Sequence, residues 1–179
     1  LCFGIDDRAA GTLAALFSSE MMTEDGILTQ QGSSTFWDRS TLYALRGAFA
    51  AGHADAALSQ LHNYSERRLL GTHVPYPVEA YPEGSQRHLS GESALYCRVI
   101  TEGLFGIRPS GFDSFNLKIR MPSDWDEMAL NHVKAFGKDF DIKVKRLDGQ
   151  RLRIGISCDG RLREYSVKSG QEIKNISLR

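Results

Sequence analysis

The stretch STLYALRGAFAAGHADAALSQLHNYSERRLLG, residues 40–71, decides the fold of the first part of the chain. Its apolar residues recur every three or four positions, which is the period of a helix with one buried face. The pattern predicts one helix over residues 39–51 and a second over 54–70. Gly52 interrupts the pattern, so we expect an antiparallel hairpin with a very short link. The expected buried faces consist of Leu42, Leu45 and Phe49 on the first helix and Leu58, Leu61 and Ser65 on the second.

Two further helices are predicted, over residues 7–20 and 90–105. The first would be capped by Asp6 or Asp7. The segment SALYCRVI in the second is apolar nearly all round, which is typical of a helix buried on several sides. Between the helices lie two long polar loops, TEDGILTQQGSSTFWD (23–38) and VPYPVEAYPEGSQRHLSGES (74–93). A bundle needs no loops of this length, whereas a ring of hairpins can gather them at one end to build a cleft.

After Gly106 the hydrophobic period changes from that of a helix to two, the period of half-buried antiparallel strands. Asp148-Gly149 and Asp159-Gly160 are strong hairpin turn signals between these strands. The fold class expected is therefore α+β, with helical hairpins over residues 1–109 and an antiparallel β module, a meander or part of a β-sandwich, over 110–179. The alternating apolar residues are Phe115, Leu117, Ile119 and Met121, then Phe140, Ile142 and Val144, then Leu152, Ile154, Ile156 and Cys158.

The composition is typical of a soluble globular protein, with 41% hydrophobic residues, 25% charged residues and zero formal net charge. This balance argues against a nucleic-acid partner, which needs clustered Lys and Arg. No apolar run is long enough to cross a membrane. The cysteines Cys2, Cys97 and Cys158 are far apart, which favours buried thiols over a disulfide framework.

The start of the chain, LCFGIDDRAAG, lacks both an initiator Met and the features of a signal peptide. The pattern indicates the C-terminal portion of a longer protein, whose principal partner is the rest of the polypeptide upstream of Leu1. With the signal region not included, a periplasmic or a secreted location both remain open.

The loop over residues 74–93 concentrates groups that suit carbohydrate chemistry. Aromatic faces stack on pyranose rings, and charged groups hydrogen-bond to hydroxyls. Glycoside hydrolysis needs two carboxyl groups across the scissile bond. Glu79 is the best placed acid, because Pro77 and Pro82 stiffen the backbone around it. The remaining candidate binding residues are Trp37, Asp38, Arg39, Tyr81, Glu83 and His88.

Structural roles explain several of these residues equally well. Trp37 could anchor the core and Asp38 could cap the second helix. Glu83 next to Gly84 fits a solvated turn. Glu92 could complement a helix dipole. His88 has no second histidine at metal-ligand spacing, so neither a metal nor another cofactor is predicted.

The segments STFWDRSTLYALRGAFAAG and PVEAYPEGSQRHLSGESALYCRVITEGLFGIRP resemble the final part of the (α/α)6-toroid glycoside hydrolases, most closely the processing-glucosidase and trehalase clan, families 63 and 37. The clan's Trp-Arg-Gly motif is similar to residues 36–39, Phe-Trp-Asp-Arg. Its Glu-x-Tyr motif is similar to residues 79–84, Glu-Ala-Tyr-Pro-Glu-Gly. The likeness covers about residues 35–145 and implies the last hairpins of a toroid, with Glu79 as the catalytic base of an inverting hydrolysis.

The resemblance also implies a general acid on an earlier hairpin, upstream of Leu1. We therefore expect the C-terminal portion of an inverting, exo-acting glycosidase that acts on oligosaccharides, inactive as an isolated piece. Three alternatives stay open: a toroid phosphorylase, favoured by His73, Arg87 and His88; a polysaccharide lyase with Tyr81 or His88 as base; and a non-catalytic carbohydrate-binding or structural fragment.

Overall fold

The computed structural model describes residues 7–35, 37–70, 75–79 and 90–179. The chain is mixed α+β, with helices followed by antiparallel sheets of three and four strands, which confirms the predicted class. It divides into two compact units, Leu1–Leu104 and Phe105–Arg179. The domain boundary predicted after residue 109 stays a prediction.

The helices are α1 (Ala9–Leu16), α2 (Asp38–Ala50), α3 (Ala54–Tyr64) with a π-helical extension (Ser65–Leu69), and α4 (Ser90–Arg98) with a π-helical extension (Val99–Leu104). The predicted bounds of α2, α3 and α4 agree closely with these when the extensions are included. The cap predicted for α1 is wrong at Asp7, because Arg8 occupies the N-cap position and makes no side-chain capping bond. Asp6 lies outside the described residues.

Helix α2 forms the centre of the helical unit. Leu42, Leu45 and Phe49 are fully buried, as the hydrophobic period predicts. The π-helical extension of α4 packs closely on this helix, because a Cβ added at Gly103 would lie 3.2 Å from the Cβ of Phe49. Glycine at this position therefore permits the close approach.

The buried face of α3 differs from the prediction. Leu58 and Ser65 are only partly buried, and the buried positions are Ala57, Leu61, Tyr64 and Arg68. These residues are spaced by four, three and four positions and so share one face of the helix. The sequence pattern missed this face because it starts at a small alanine and ends at an arginine.

Helix α4 is also less buried than its apolar sequence predicts. Glu92, Leu95 and Val99 are buried and lie on one face. Cys97 is exposed and Cys158 is partly buried, so the expectation of buried thiols is wrong for these two cysteines; both are free. Cys2 lies outside the described residues. Among the described residues, no helix combines the length and the apolar character needed to span a bilayer.

The strands of the second unit are β1 (Ile107–Pro109), β2 (Ser114–Leu117), β3 (Glu127–Ala135), β4 (Lys138–Arg146), β5 (Arg151–Cys158), β6 (Arg161–Lys168) and β7 (Ile173–Ser177). All neighbouring strands pair antiparallel, in the orders β1-β2-β7 and β3-β4-β5-β6. Ile119 and Met121 are buried, as predicted, although they lie beyond the end of β2. The side chains facing inward include Phe115 of β2, whose ring centroid lies 5.5 Å from that of Phe140 on β4.

Both predicted hairpins are present. Asp159 and Gly160 form the link between β5 and β6, with φ angles of 49° and 73°. Two successive positive φ angles match the twist of the flanking strands. The link between β4 and β5 is longer, and Asp148 organises it by accepting hydrogen bonds from the backbone N–H groups of Gln150 and Arg151. The bond from Gln150, followed by those from the side chain and the backbone N–H of Arg151, lowers the pKa of Asp148 to about 2.

Candidate functional site

A buried ion pair joins the beginning of α2 to the end of α3. Asp38 is 0% exposed and Arg68 is 2% exposed. Nη1 of Arg68 lies 3.0 Å from Oδ1 of Asp38, and Nη2 donates to Oδ2 at 3.3 Å. Two charges without access to solvent persist only when they pair closely, so this contact fixes the two helix ends relative to each other.

The Asp38 carboxylate also holds the segment over residues 75–79. The backbone N–H of Val78 donates to Oδ2 of Asp38 at 2.6 Å. Pro77 and Val78 are buried, whereas the next residue, Glu79, is exposed. A charge-assisted bond of this length is strong. Asp38 therefore anchors the backbone directly before Glu79.

A second ion pair ties α2 to α4. Nε of Arg39 donates to Oε1 of Glu92 at 2.6 Å. The Glu92 side chain is 4% exposed and lies in the first turn of α4, while that of Arg39 is 46% exposed. The hydrogen bond and the charge of Glu92 raise the pKa of Arg39, and the charge of Glu79 raises it further. Glu79 and Glu92 thus act on the same guanidinium.

Tyr64 is a further buried member of the cluster that Asp38, Arg68, Arg39 and Glu92 form. Burial raises the pKa of its hydroxyl, and the nearby negative charge of Asp38 adds to the rise. Its ring stacks on that of Tyr96 with centroids 6.2 Å apart. The Tyr96 hydroxyl in turn lies 2.8 Å from Oγ of Ser65, which joins α3 to α4.

The described parts of the two long loops lie at one end of the helical hairpin. Residues 75–79 contact the beginning of α2, which lies at the end opposite the Gly52–His53 link. The first loop is anchored nearby, because Ile27 N–H donates to Oγ1 of Thr41 at 2.9 Å and Nε of Arg67 donates to Oδ1 of Asp25 at 2.9 Å. The described parts of both loops therefore lie at the same end of this hairpin, and the ring of hairpins stays a prediction.

Four candidate residues are described, Trp37, Asp38, Arg39 and Glu79, and the contacts above link the last three. Trp37 is 39% exposed and occupies the N-cap position of α2, so it is not a buried core anchor and Asp38 is not the cap. Asp38 has no exposed surface, which separates it from the other three. The other predicted residues, Tyr81, Glu83 and His88, lie outside the described residues, as do Phe36 and Arg87.

Arg68 and Tyr64 are the two members of the cluster that sequence reasoning missed. Both extend the buried face of α3 at helical spacing from Ala57 and Leu61. An arginine in register with a buried helix face indicates a buried acid elsewhere, because an unpaired guanidinium is costly to bury. That register was the available signal, and Asp38 is the acid it indicates.

The described residues contain no group of three or more His, Cys, Asp or Glu side chains arranged to hold a metal ion. The chain matches no protein-family model, no curated protein and no solved structure.

Proposed function

We propose that this chain is the C-terminal portion of an inverting, exo-acting glycosidase in which Glu79 is the general base. The proposal draws its chemistry from the resemblance of the sequence. Its main structural support is the anchored backbone at Val78, which presents an exposed carboxylate from a fixed segment. A general base needs both properties: access to water and a defined position.

In this mechanism Glu79 removes a proton from a water molecule as the water attacks the anomeric carbon. A carboxylic acid supplied by residues upstream of Leu1 protonates the leaving oxygen. The two carboxyl groups of an inverting enzyme lie roughly 6.5–9.5 Å apart, which leaves room for the water. The sugar inverts at the anomeric carbon because attack and departure occur on opposite faces.

Among the described residues, the proposal assigns the binding of the sugar to Trp37 and Arg39. Trp37 offers an exposed aromatic surface, and the exposed part of Arg39 offers N–H donors to hydroxyls. Glu92 neutralises Arg39 from its buried side and holds the guanidinium in place. Tyr81, Glu83 and His88 remain predicted binding residues.

The wider architecture belongs to the same proposal. Helices α2 and α3 are joined by a three-residue link, which suits one hairpin of an (α/α)6 toroid. The contact of Phe115 with Phe140 between the two sheets suits a β-sandwich. Missing toroid hairpins would come from the chain upstream of Leu1.

The proposal is tested on the full-length protein with a panel of oligosaccharides. We expect the enzyme to release a single sugar from the end of the oligosaccharide in phosphate-free buffer, and chromatography measures this release. Turnover that requires phosphate and yields a sugar phosphate would instead indicate a phosphorylase. A product that absorbs in the ultraviolet as an unsaturated uronate would indicate a lyase, and binding without turnover would indicate a non-catalytic module.

A further inference from the structure

The buried pair of Asp38 and Arg68 has a geometry that a sugar-binding group would not need. A residue that contacts substrate must present polar atoms to the cleft, but Asp38 is 0% exposed and both of its oxygens have partners inside the protein. These partners include the guanidinium of Arg68 and the backbone N–H immediately before Glu79.

Asp38 is held by Arg68 and also accepts the Val78 N–H, which suits a residue that positions Glu79. Nη2 of Arg68 donates to Oδ2 and Nη1 lies close to Oδ1, so the guanidinium restrains the carboxylate. Oδ2 then accepts the Val78 N–H at 2.6 Å. Because Val78 and Glu79 are consecutive, a shift of this hydrogen bond displaces the backbone that carries Glu79. A misplacement of about 1 Å can reduce catalysis by on the order of 100-fold.

We propose that Asp38, oriented by Arg68, is a positioning residue that sets the place of the Glu79 carboxylate and does not touch the sugar. The inference rests on the proposed role of Glu79 as general base. It replaces the substrate-binding role that the sequence predicts for Asp38, and it extends the site to Arg68 on α3.

Asp38→Asn in the full-length protein is the direct test. The amide keeps the shape of the side chain but loses its charge, which weakens both the ion pair and the bond from Val78. We expect kcat to fall roughly 10- to 100-fold while KM changes less than about threefold, because Trp37 and Arg39 still hold the sugar. A residue that binds sugar directly would raise KM as well, and that result would overturn the proposal.

A double-mutant cycle separates positioning from a general structural role. Asp38→Asn should have almost no further effect on kcat in a Glu79→Gln background, since there is no base left to position. An equal loss in both backgrounds would overturn the proposal. The matched control is Glu102→Gln, the same chemical change in the Arg46–Glu102 pair that joins α2 to the extension of α4 at 2.8 Å; it should leave kcat nearly unchanged.

Amide hydrogen exchange measures the strength of the hydrogen bond from the Val78 N–H to Asp38 independently of enzyme activity. Exchange at Val78 should accelerate roughly 10-fold or more in Asp38→Asn and stay unchanged in Glu102→Gln, because only the first variant weakens the acceptor. Unchanged exchange in Asp38→Asn would overturn the anchor even if kcat falls. If Glu79→Gln keeps near-normal kcat while Val78 exchange accelerates as expected, the anchor stands, and both the assignment of Glu79 as base and the positioning role built on it fail.

Arg68→Lys supplies a milder variant should Asp38→Asn fold poorly. Lysine keeps the positive charge but cannot contact both carboxylate oxygens with a planar fork. We expect an intermediate loss of kcat in the wild-type background and none in the Glu79→Gln background. Equal losses in the two backgrounds would overturn the proposal.

Discussion

Glu79→Gln in the full-length protein is expected to lower kcat by roughly 10²- to 10⁴-fold, the range that general acid–base catalysis contributes. Glutamine keeps the length and the polar end of the side chain but cannot accept a proton from the attacking water. Because the backbone before it is anchored through Val78, the substitution should not alter the fold of the segment. Substrate binding should remain measurable, since Trp37 and Arg39 are unchanged.

The matched control is Glu66→Gln, which removes an exposed carboxylate from the extension of α3. Among the ion pairs of the described residues, Glu66 takes part only in the one with the exposed His62, at 3.4 Å. Its kcat should equal that of the wild type. Steady-state kinetics on both variants decide the assignment. A Glu79→Gln enzyme within about threefold of the wild-type kcat would remove Glu79 from the mechanism.

Arg68→Met is expected to destabilise the helical unit by about 3–5 kcal/mol, the cost of breaking a buried ion pair by removing one partner. Methionine fills much of the same volume, so the main loss is electrostatic. Asp38 would keep its charge at 0% exposure and lose its guanidinium. Hydrogen exchange over α2 and α3 in the full-length protein measures the local free energy of opening.

Arg67→Met provides the comparison, because the neighbouring arginine lies on the exposed side of the same helical turn. Its side chain is 47% exposed and its acidic partners are Glu24 and Asp25, on the first loop. Exposed pairs of this kind contribute about 0–1 kcal/mol. If the two variants opened with equal free energies, the Asp38–Arg68 pair would not be the structural anchor of the site.

The elements that sequence predicts well are those specified by local rules. Asp159-Gly160 predicts a two-residue turn because both positions need a positive φ, and both have one. The alternation in β4 and β5 predicts strands because each has one buried face. Helix α2 is predicted because Leu42, Leu45 and Phe49 recur at helical spacing, and all three are buried.

The elements that escaped prediction either break the local rules or depend on distant contacts. Strand β3 was missed because its pairing with β4 shifts register between Leu130 and Val133, with His132 at a φ of 56°. Strict alternation fails at such a bulge. The buried face of α3 differs from the prediction for the second reason: Arg68 lies inside, where Asp38, thirty residues earlier, pairs with it.

In the candidate site too, some features follow from the local sequence and others do not. The sequence places Trp37, Arg39 and Glu79 among the candidates through residue chemistry and family resemblance. It does not show that Asp38 faces inward, since an acid at the beginning of a helix is equally suited to capping. The contact with Val78, forty residues later, distinguishes the two roles.

Chemical rescue of Glu79→Ala in the full-length protein tests the central claim most directly. Removing the carboxylate should leave a gap that azide, a nucleophile that needs no base, can enter. The account predicts that azide increases the turnover of Glu79→Ala but not that of the wild type. NMR should show that the product is a glycosyl azide of inverted anomeric configuration. A glycosyl azide of retained configuration, or turnover of Glu79→Ala near the wild-type rate without azide, would contradict Glu79 as the general base.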